Sequence, residues 1–448
     1  MKFCEEVNLE IVPSIDITTD VAELCDVIAQ IKEYLDLFKG FKFLNIGPRL
    51  SSLLTCMEDK NPFSLDSNQY MMLCSYLYHN GDEETISELE KFDNYILMEY
   101  GLKSGADFGS KSKNLYKSGR PFFYCVGSSN WNSFLGCPDG CLYNINDAKK
   151  RQEFDQALGF LLCNFNGSIN RNPFAFNLNS ILMFSGLSWN TKIDLPKVKQ
   201  SLPLVMVNHG LISDKDGEIA KCMLELGHIE TYLSRIASNS NDYSDLPFDE
   251  GSIFTRLLYN PDEIDLDSLD KHIFKKTLFQ LRAQHSKLKS LIAVPVNSLF
   301  KEVLISTEIT LHLLKFLIGL YNTGVKQPSS SHKAVGLHVI NIGVANLNQT
   351  LRTDLANKLL ILKQEYMSLL GEIYFYESVE EYMNNYFVKL IDKLLVDQDE
   401  ANLVDLVNMK LIRHGGDNNE DKNFRLRSFS QSSVQSSYFV QSSQDEKS

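Results

Sequence analysis

The sequence predicts a mainly α-helical protein with one irregular insertion and a disordered carboxyl-terminal tail. Apolar residues recur at helical spacing over most of the chain beyond residue 150, whereas 101–146 is rich in Gly, Ser, Asn and aromatics without a period. From His414 onward the chain has nine serines and almost no aliphatic residues, too few apolar groups to offset the entropy of ordering. We therefore predict one helical domain over 1–412, with the insertion at about 101–146, and a disordered Ser-rich tail over 413–448.

The individual elements follow from the spacing of apolar residues. The extended amino-terminal segment can hold a strand at Val7–Val12, and Glu218–Ala237 is the clearest amphipathic helix, since its apolar residues form one stripe and its remaining face is charged. The apolar segment 173–189 has β-branched and aromatic residues that also suit a strand. Further helices are predicted at 19–40, 68–79, 83–100, 150–164, 267–293, 297–322, 332–349 and 351–396, the last divided around Gly371.

Composition bounds the compartment and the partners. The chain has 57 acidic and 44 basic residues, a net charge of −13, which argues against nucleic acid as the main partner. Its first residues, MKFCEEVNLEIVPSID, place paired glutamates where a secretory signal needs an apolar run. Nine widely scattered cysteines, an odd number, are typical of reduced thiols in a core. These features predict a cytoplasmic protein.

The longest apolar stretch, Val303–Tyr321, raises the question of a membrane span. Glu308, His312 and Lys315 interrupt it at helical spacing, and a bilayer would penalise those side chains heavily. We interpret the stretch as a core helix.

Motifs that carry chemistry are incomplete. GADFGSKS at Gly105–Ser112 resembles a phosphate-binding loop, but Ser110 stands where that motif needs glycine. Serine-hydrolase, zinc-protease and kinase motifs are absent from the sequence. We therefore predict no catalytic residues, no cofactor and no metal. A nucleotide-using enzyme remains the less favoured alternative, and its site would lie in 101–146, with Lys111, Asp139 or the cysteines.

The stretch GCPDGC, residues 136–141, holds the only two cysteines close together in sequence. A structural zinc site needs four ligands, and the chain has no second pair at suitable spacing. Pro138-Asp139-Gly140 is itself a strong turn signature. We predict the tip of a loop or hairpin.

A run of basic residues without an intervening acid stands out in this acidic chain. It suits an acidic partner segment or an acidic membrane surface, although a solvated helix face is the plainer interpretation. Aromatic residues are too few there to favour single-stranded nucleic acid. The basic residues are Lys271, Lys275, Lys276, Arg282, Lys287 and Lys289.

The tail contains candidate phosphorylation sites. Arg425 precedes Ser428 by three residues, and Arg427 precedes Ser430 by three. Phosphorylation of either serine would reverse the local charge.

The helix Ile219–Arg235, IAKCMLELGHIETYLSR, carries the steps Ala220-Lys221 and Tyr232-Leu233 with Gly227 between them. In this pattern, and in the long helices after it, the chain resembles the BRO1 domain family, and in length the compact fungal PalC type. The resemblance implies an elongated, curved helical solenoid without enzymatic activity. It further implies an adaptor that binds the carboxyl-terminal helix of an ESCRT-III filament subunit and works with pH-signalling proteins in fungal ambient-pH signalling. Recruitment to the endosome or plasma membrane would follow.

Within this interpretation, the partner would lay an amphipathic helix on the helix Ile219–Arg235. His228, Tyr232 and Arg235 lie at spacings of four and three on one edge of that helix, and they are the predicted partner-binding residues. The alternative binding function is a helical nucleocapsid-like or other structural protein.

Overall fold

The computed structural model shows a curled parallel sheet, helices packed on it, and a helical bundle. It describes residues 9–16, 24–38, 40–54, 61–75, 94–101, 119–131, 133–164, 172–190, 192–209, 214, 216–237, 252–259, 271–291, 297–322 and 347–395, with the single residues 4, 6, 87, 90, 92 and 115. The GADFGSKS motif, all but the last three residues of the helix predicted at 332–349, and the tail with Ser428 and Ser430 lie outside these residues.

The sheet overturns the predicted fold class. Six strands, all parallel, follow one another in chain order and curl into a half-barrel. The protein therefore has an α/β fold, and the prediction of a mainly α-helical solenoid is wrong. The strands are β1 (Ser14–Ile15), β2 (Phe43–Ile46), β3 (Tyr70–Cys74), β4 (Tyr95–Gly101), β5 (Phe122–Gly127) and β6 (Gly159–Cys163).

Burial explains why the strands were missed. A strand in a parallel sheet is commonly covered on both faces, so it is a short apolar run without alternation. YMMLC of β3 and YILMEYG of β4 are such runs. The helices predicted at 68–79 and 83–100 are therefore wrong where these strands lie, and β6 replaces the end of the helix predicted at 150–164.

Helices cover one face of the sheet. They are α1 (Leu24–Leu35), α2 (Pro48–Leu54), α3 (Pro138–Asp155), α4 (Phe174–Trp189) and α5 (Leu195–Asn208). Their apolar residues form a core with strand residues such as Leu44, Leu97 and Tyr124, all fully buried. The irregular insertion predicted at 101–146 is also wrong in part, because β5 and the start of α3 lie within it.

The helical bundle agrees better with the sequence pattern. It consists of α6 (Glu218–Ala237), α7 (Ile253–Tyr259), α8 (Lys271–Ser290), α9 (Ser298–Asn322), α10 (Gln349–Leu370), α11 (Tyr376–Met383) and α12 (Lys389–Leu395), with a π-helical turn at Asn384–Val388. The predicted division around Gly371 is present between α10 and α11. Helices α6 to α12 share one apolar core.

Helix α9 has the length and apolar composition to cross a membrane, and it is the one such helix among the described residues. Most of it is buried inside the bundle. His312 accordingly bonds the Leu355 carbonyl through Nε2 at 2.8 Å, and burial lowers its pKa to about 4. These contacts agree with its interpretation as a core helix.

Two buried glutamates connect the bundle to the sheet region. Glu230 of α6 accepts the N–H groups of Phe134 and Leu135, in the loop after β5. Glu302 of α9 accepts the N–H groups of Phe174 and Ala175, at the start of α4. Burial raises the pKa of both carboxyl groups, that of Glu230 to about 7. Each carboxylate satisfies backbone donors that would otherwise be unpaired in the interior.

Candidate functional site

The outward side of α8 carries an exposed surface of basic residues around one aromatic ring. Lys275, Lys276, Phe279 and Arg282 are exposed along successive turns, and we call these four residues the basic face. On the opposite side of α8, Phe274, Thr277, Leu281 and Leu288 are buried against α6 and α9. The helix is anchored by its apolar stripe, so the basic face is held in one orientation.

The lysine and arginine residues of α8 have acidic partners near its carboxyl-terminal end but not near its amino-terminal end, as far as the described residues show. At the carboxyl-terminal end, Lys287 pairs with Glu218, and Lys289 pairs with Glu308 at 3.0 Å. Within the part of the chain that the structure describes, Lys275 and Arg282 pair with no carboxylate. The first turn of α8 also lacks an acidic residue, although the helix dipole favours one there. The basic face is therefore a positive surface on a protein of net charge −13.

Phe279 lies in the middle of this positive surface and is 76% exposed. A single exposed apolar side chain needs no explanation by itself. Here Lys275 and Lys276 lie one turn before it and Arg282 one turn after it. An exposed aromatic ring with basic residues one turn before and one turn after it makes this surface the candidate for binding.

The three residues predicted to bind a partner on α6 lie in different environments. His228 bonds the Asp139 carboxylate through Nδ1. Arg235 is only 8% exposed, so it does not lie on an open edge of the helix. Tyr232 is partly exposed, and its ring lies 4.5 Å from Lys276 Nζ. Tyr232 therefore adjoins the basic face, whereas His228 and Arg235 contribute to packing. Of the predicted basic residues, the side chain of Lys271 is outside the described set.

GCPDGC is the beginning of a helix, so the predicted loop or hairpin tip is wrong. Pro138 occupies the first turn of α3, where its missing N–H and fixed φ are favourable. Cys137 and Cys141 are buried one helical turn apart, and burial raises the pKa of Cys141 to about 12. Burial acts to raise the pKa of Asp139, but His228 and Lys199 outweigh it and lower that pKa. The described residues contain no group of His, Cys, Asp or Glu able to hold a metal ion.

The carboxyl ends of parallel strands are where ligands bind in many α/β proteins. After β5, however, the polar groups bond one another. Asn130 donates to Asn177 at 3.1 Å and to Ser180 at 2.8 Å, and its side-chain oxygen accepts the Cys137 N–H at 2.6 Å. The Asn130 N–H in turn bonds Ser128 at 3.2 Å. This network holds the loop against α3 and α4.

Three thiols meet on the sheet face turned away from the helices. Cys74, Cys125 and Cys163 come from β3, β5 and β6, and they adjoin Tyr100 of β4. Burial, and then the neighbouring thiols, raise the pKa of Tyr100; burial and Cys163 raise that of Cys125. Tyr100 and Cys125 are therefore protonated at neutral pH, and the Cys125 thiol is a poor nucleophile. The spacing of the cysteines in the sequence did not predict this cluster. The signal that could have predicted it is that each cysteine lies near the end of a short apolar run.

A surface pocket of about 480 Å³ lies beside α1. Phe41 and Gln69, which line it, precede β2 and β3. The pocket is therefore at the amino ends of the strands, away from the edge where parallel sheets bind ligands. The position of this pocket therefore does not indicate what kind of molecule it would bind.

No protein-family model matches the chain, and no curated protein matches it. The basic face is thus assigned on geometry and charge alone.

Proposed function

We propose that this chain is a binding protein whose basic face on α8 docks an acidic segment of a partner protein. The observation that carries the proposal is the exposed Phe279 ring among Lys275, Lys276 and Arg282, with no described carboxylate on Lys275 or Arg282. A matching partner would carry acidic residues around one or two aromatic or aliphatic side chains. Docking would cover the ring and neutralise the cations at the same time.

The two components have different roles in such a contact. Ion pairs at an exposed rim contribute about 0 to 1 kcal/mol each, and they mainly speed association and fix register. Burying an aromatic side chain contributes about 1.5 to 3 kcal/mol. Phe279 is therefore the expected anchor, and the cations select an acidic partner. An affinity in the micromolar range corresponds to about 8 kcal/mol, so partner side chains must supply the remainder.

A protein segment suits this face better than a membrane or RNA. Interfacial helices place a broad apolar face into the lipid boundary, whereas Phe279 is the one large apolar residue among the described exposed side chains of α8. Single-stranded RNA binding relies on several aromatic platforms. Tyr232 cannot supply one freely, because the Lys276 amino group lies over its ring.

The BRO1 resemblance implies a particular partner, an ESCRT-III subunit. It also implies that this chain works in ambient-pH signalling. The helical solenoid that this resemblance implies is wrong, so the fold gives the named partner no support. It stays a prediction, as does the absence of enzymatic activity. The proposal made here depends only on the basic face.

Fluorescence anisotropy with a defined probe tests the proposal. The probe is a labelled synthetic peptide with two aromatic residues flanked on both sides by glutamates, and its control replaces every glutamate with glutamine. We expect binding of the acidic peptide alone, weakened by salt. Phe279→Ala should weaken it about tenfold, and Lys275→Glu with Arg282→Glu should remove it.

The matched control is Lys150→Glu with Lys358→Glu, since both lysines are exposed on other helices. This variant should bind as the unmodified protein does. Equal loss in the control pair would contradict the proposal. So would preferential binding of phosphatidylserine vesicles or single-stranded RNA that depends on Lys275 and Arg282.

A further inference from the structure

A second exposed surface, opposite in charge to the basic face, lies at the turn between α10 and α11. Phe375 is 85% exposed and Tyr376 is 61% exposed. Four exposed glutamates surround these rings. We call this surface the acidic corner, and it consists of Glu372, Phe375, Tyr376, Glu377, Glu380 and Glu381.

The charges of the acidic corner are unbalanced, like those of the basic face. None of its four carboxylates pairs with a basic side chain of the described residues. Glu377 lies three residues before Glu380 and four before Glu381, spacings at which like charges repel on a helix. Glu372 follows the carboxyl end of α10, where the helix dipole disfavours an anion. A positively charged partner would relieve each of these unfavourable interactions.

The two surfaces lie on different parts of the bundle. Helix α8 packs against α6 and α9, whereas α11 packs against α10, which lies on α9. Helices α9 and α10 thus lie between α8, which carries the basic face, and α11, which carries most of the acidic corner. An arrangement of this kind suits contact between different copies of the chain.

We infer that the acidic corner of one copy docks on the basic face of a second copy. The inference rests on the proposed function and names its partner. In the contact, carboxylates such as Glu377 and Glu380 would meet Lys275 and Arg282. The rings of Phe375 and Tyr376 would cover Phe279, as aromatic pairs do at interfaces.

Such a contact joins two different surfaces and is therefore heterologous. In a series of such contacts, the copy at one end has a free basic face and the copy at the other end has a free acidic corner. The assembly is then a head-to-tail series, open unless the rotation closes a ring. Net charge of −13 on every copy opposes close approach, so the association is weak, with a Kd on the order of 10 to 100 μM.

Sedimentation velocity of the full chain over a concentration series provides the test. The unmodified protein should form dimers and larger species as its concentration rises to about 300 μM. A face variant carries Lys275→Ala and Phe279→Ala, and a corner variant carries Phe375→Ala, Glu377→Gln and Glu380→Gln. Each variant alone should stay monomeric, while Lys150→Ala should associate as the unmodified protein does.

An equimolar mixture of the two variants is the decisive sample. The face variant retains an intact acidic corner and the corner variant an intact basic face, so the mixture should form a dimer and no larger species. Thermal melting of each variant beforehand establishes that it is folded. Monomeric unmodified protein throughout the series, or association that both variants retain, overturns the inference.

Failure of this inference is separable from failure of the proposed function. If the unmodified chain stays monomeric but binds the acidic aromatic peptide, the basic face has another partner and the second copy is excluded. If the chain neither associates nor binds that peptide, both are wrong. If the variants associate only with each other, both are supported.

Discussion

The edge of the parallel sheet and the surface of the helical bundle differ in how their polar groups are paired. Around the sheet, Ser and Asn side chains after β5 bond one another and the neighbouring backbone. On the surface of the bundle, Arg282 of α8 and Glu377 of α11 are exposed, and neither pairs with an oppositely charged side chain of the described residues. The comparison teaches that charged groups without a partner among the described residues, rather than the number of polar groups, distinguish the surface proposed for binding.

The junction between the regions combines a shared apolar core, to which Phe134 and Phe176 belong, with two buried carboxylates. Glu230 and Glu302 each accept backbone N–H groups from the sheet side. Removal of either carboxylate would leave buried backbone N–H groups without an acceptor.

The largest expected effect is therefore at this junction. Glu230→Ala leaves the N–H groups of Phe134 and Leu135 buried without an acceptor, so we expect the free energy of unfolding to fall by about 3 to 5 kcal/mol. Glu225→Ala is the matched control, because this exposed glutamate lies on the same helix, and it should change stability by less than about 1 kcal/mol. Urea unfolding followed by circular dichroism measures both. Equal effects would show that the Glu230 contacts do not hold the junction.

The pH dependence of the free energy of unfolding gives a second test of Glu230. Burial raises the pKa of Glu230 to about 7, so the folded protein binds its proton more tightly than the unfolded chain does. The stabilisation that the Glu230 proton gives to the folded protein is complete below the pKa of Glu230 in the unfolded chain. It is lost as the pH rises through the pKa of Glu230 in the folded protein. Between about pH 4.5 and 7 the loss is on the order of 3 kcal/mol.

Glu230→Gln isolates this contribution, because Glu302 and other groups titrate in both proteins. The stability of the unmodified protein minus that of the variant should fall by about 3 kcal/mol over this pH range. Urea unfolding at several pH values gives the difference. A constant difference would mean that burial of Glu230 does not raise its pKa.

The bundle was largely predictable from the sequence, and the sheet was not. Helices α6 and α8 present one buried stripe and one polar side, so the spacing of their apolar residues identifies them, whereas α9 is recognisable as a long apolar run buried inside the bundle. Strands such as YMMLC and FFYCVG are apolar on both sides. A short apolar run of this type cannot be assigned by periodicity alone, and strand order depends on pairing between distant segments.

The candidate site was predictable in part. The basic run on α8 was visible because Lys275, Lys276 and Arg282 occur without an acid between them. The exposure of Phe279 was not visible, because an apolar residue on an amphipathic helix is ordinarily assigned to the buried stripe. The involvement of His228 with Asp139 was equally hidden, since these residues are far apart in sequence and their contact depends on the packing of α6 on α3.

Close packing at the junction should reverse the usual effect of a glycine substitution. Gly→Ala inside a helix ordinarily stabilises by about 0.5 to 1 kcal/mol. A Cβ on Gly227 of α6 would lie 2.5 Å from Pro138 Cδ, so Gly227→Ala should instead destabilise by about 2 kcal/mol. Gly186 of α4 has open space around a Cβ, and Gly186→Ala should stabilise. Thermal melting of both variants decides the matter, and stabilisation by Gly227→Ala would show that α6 and α3 are not closely packed.

The smallest stability effect is expected at the basic face, together with a large effect on binding. Phe279 is 76% exposed, so Phe279→Ala should change the free energy of unfolding by less than about 0.5 kcal/mol. Phe274, five residues earlier on the same helix, is almost completely buried, and Phe274→Ala should cost about 3 to 5 kcal/mol. Urea unfolding compares the two variants, and peptide anisotropy then compares Phe279→Ala with the unmodified protein. A loss of stability at Phe279 equal to that at Phe274 would place its ring in the core. Unchanged stability with weakened binding assigns the ring to a surface whose contacts lie outside the single chain.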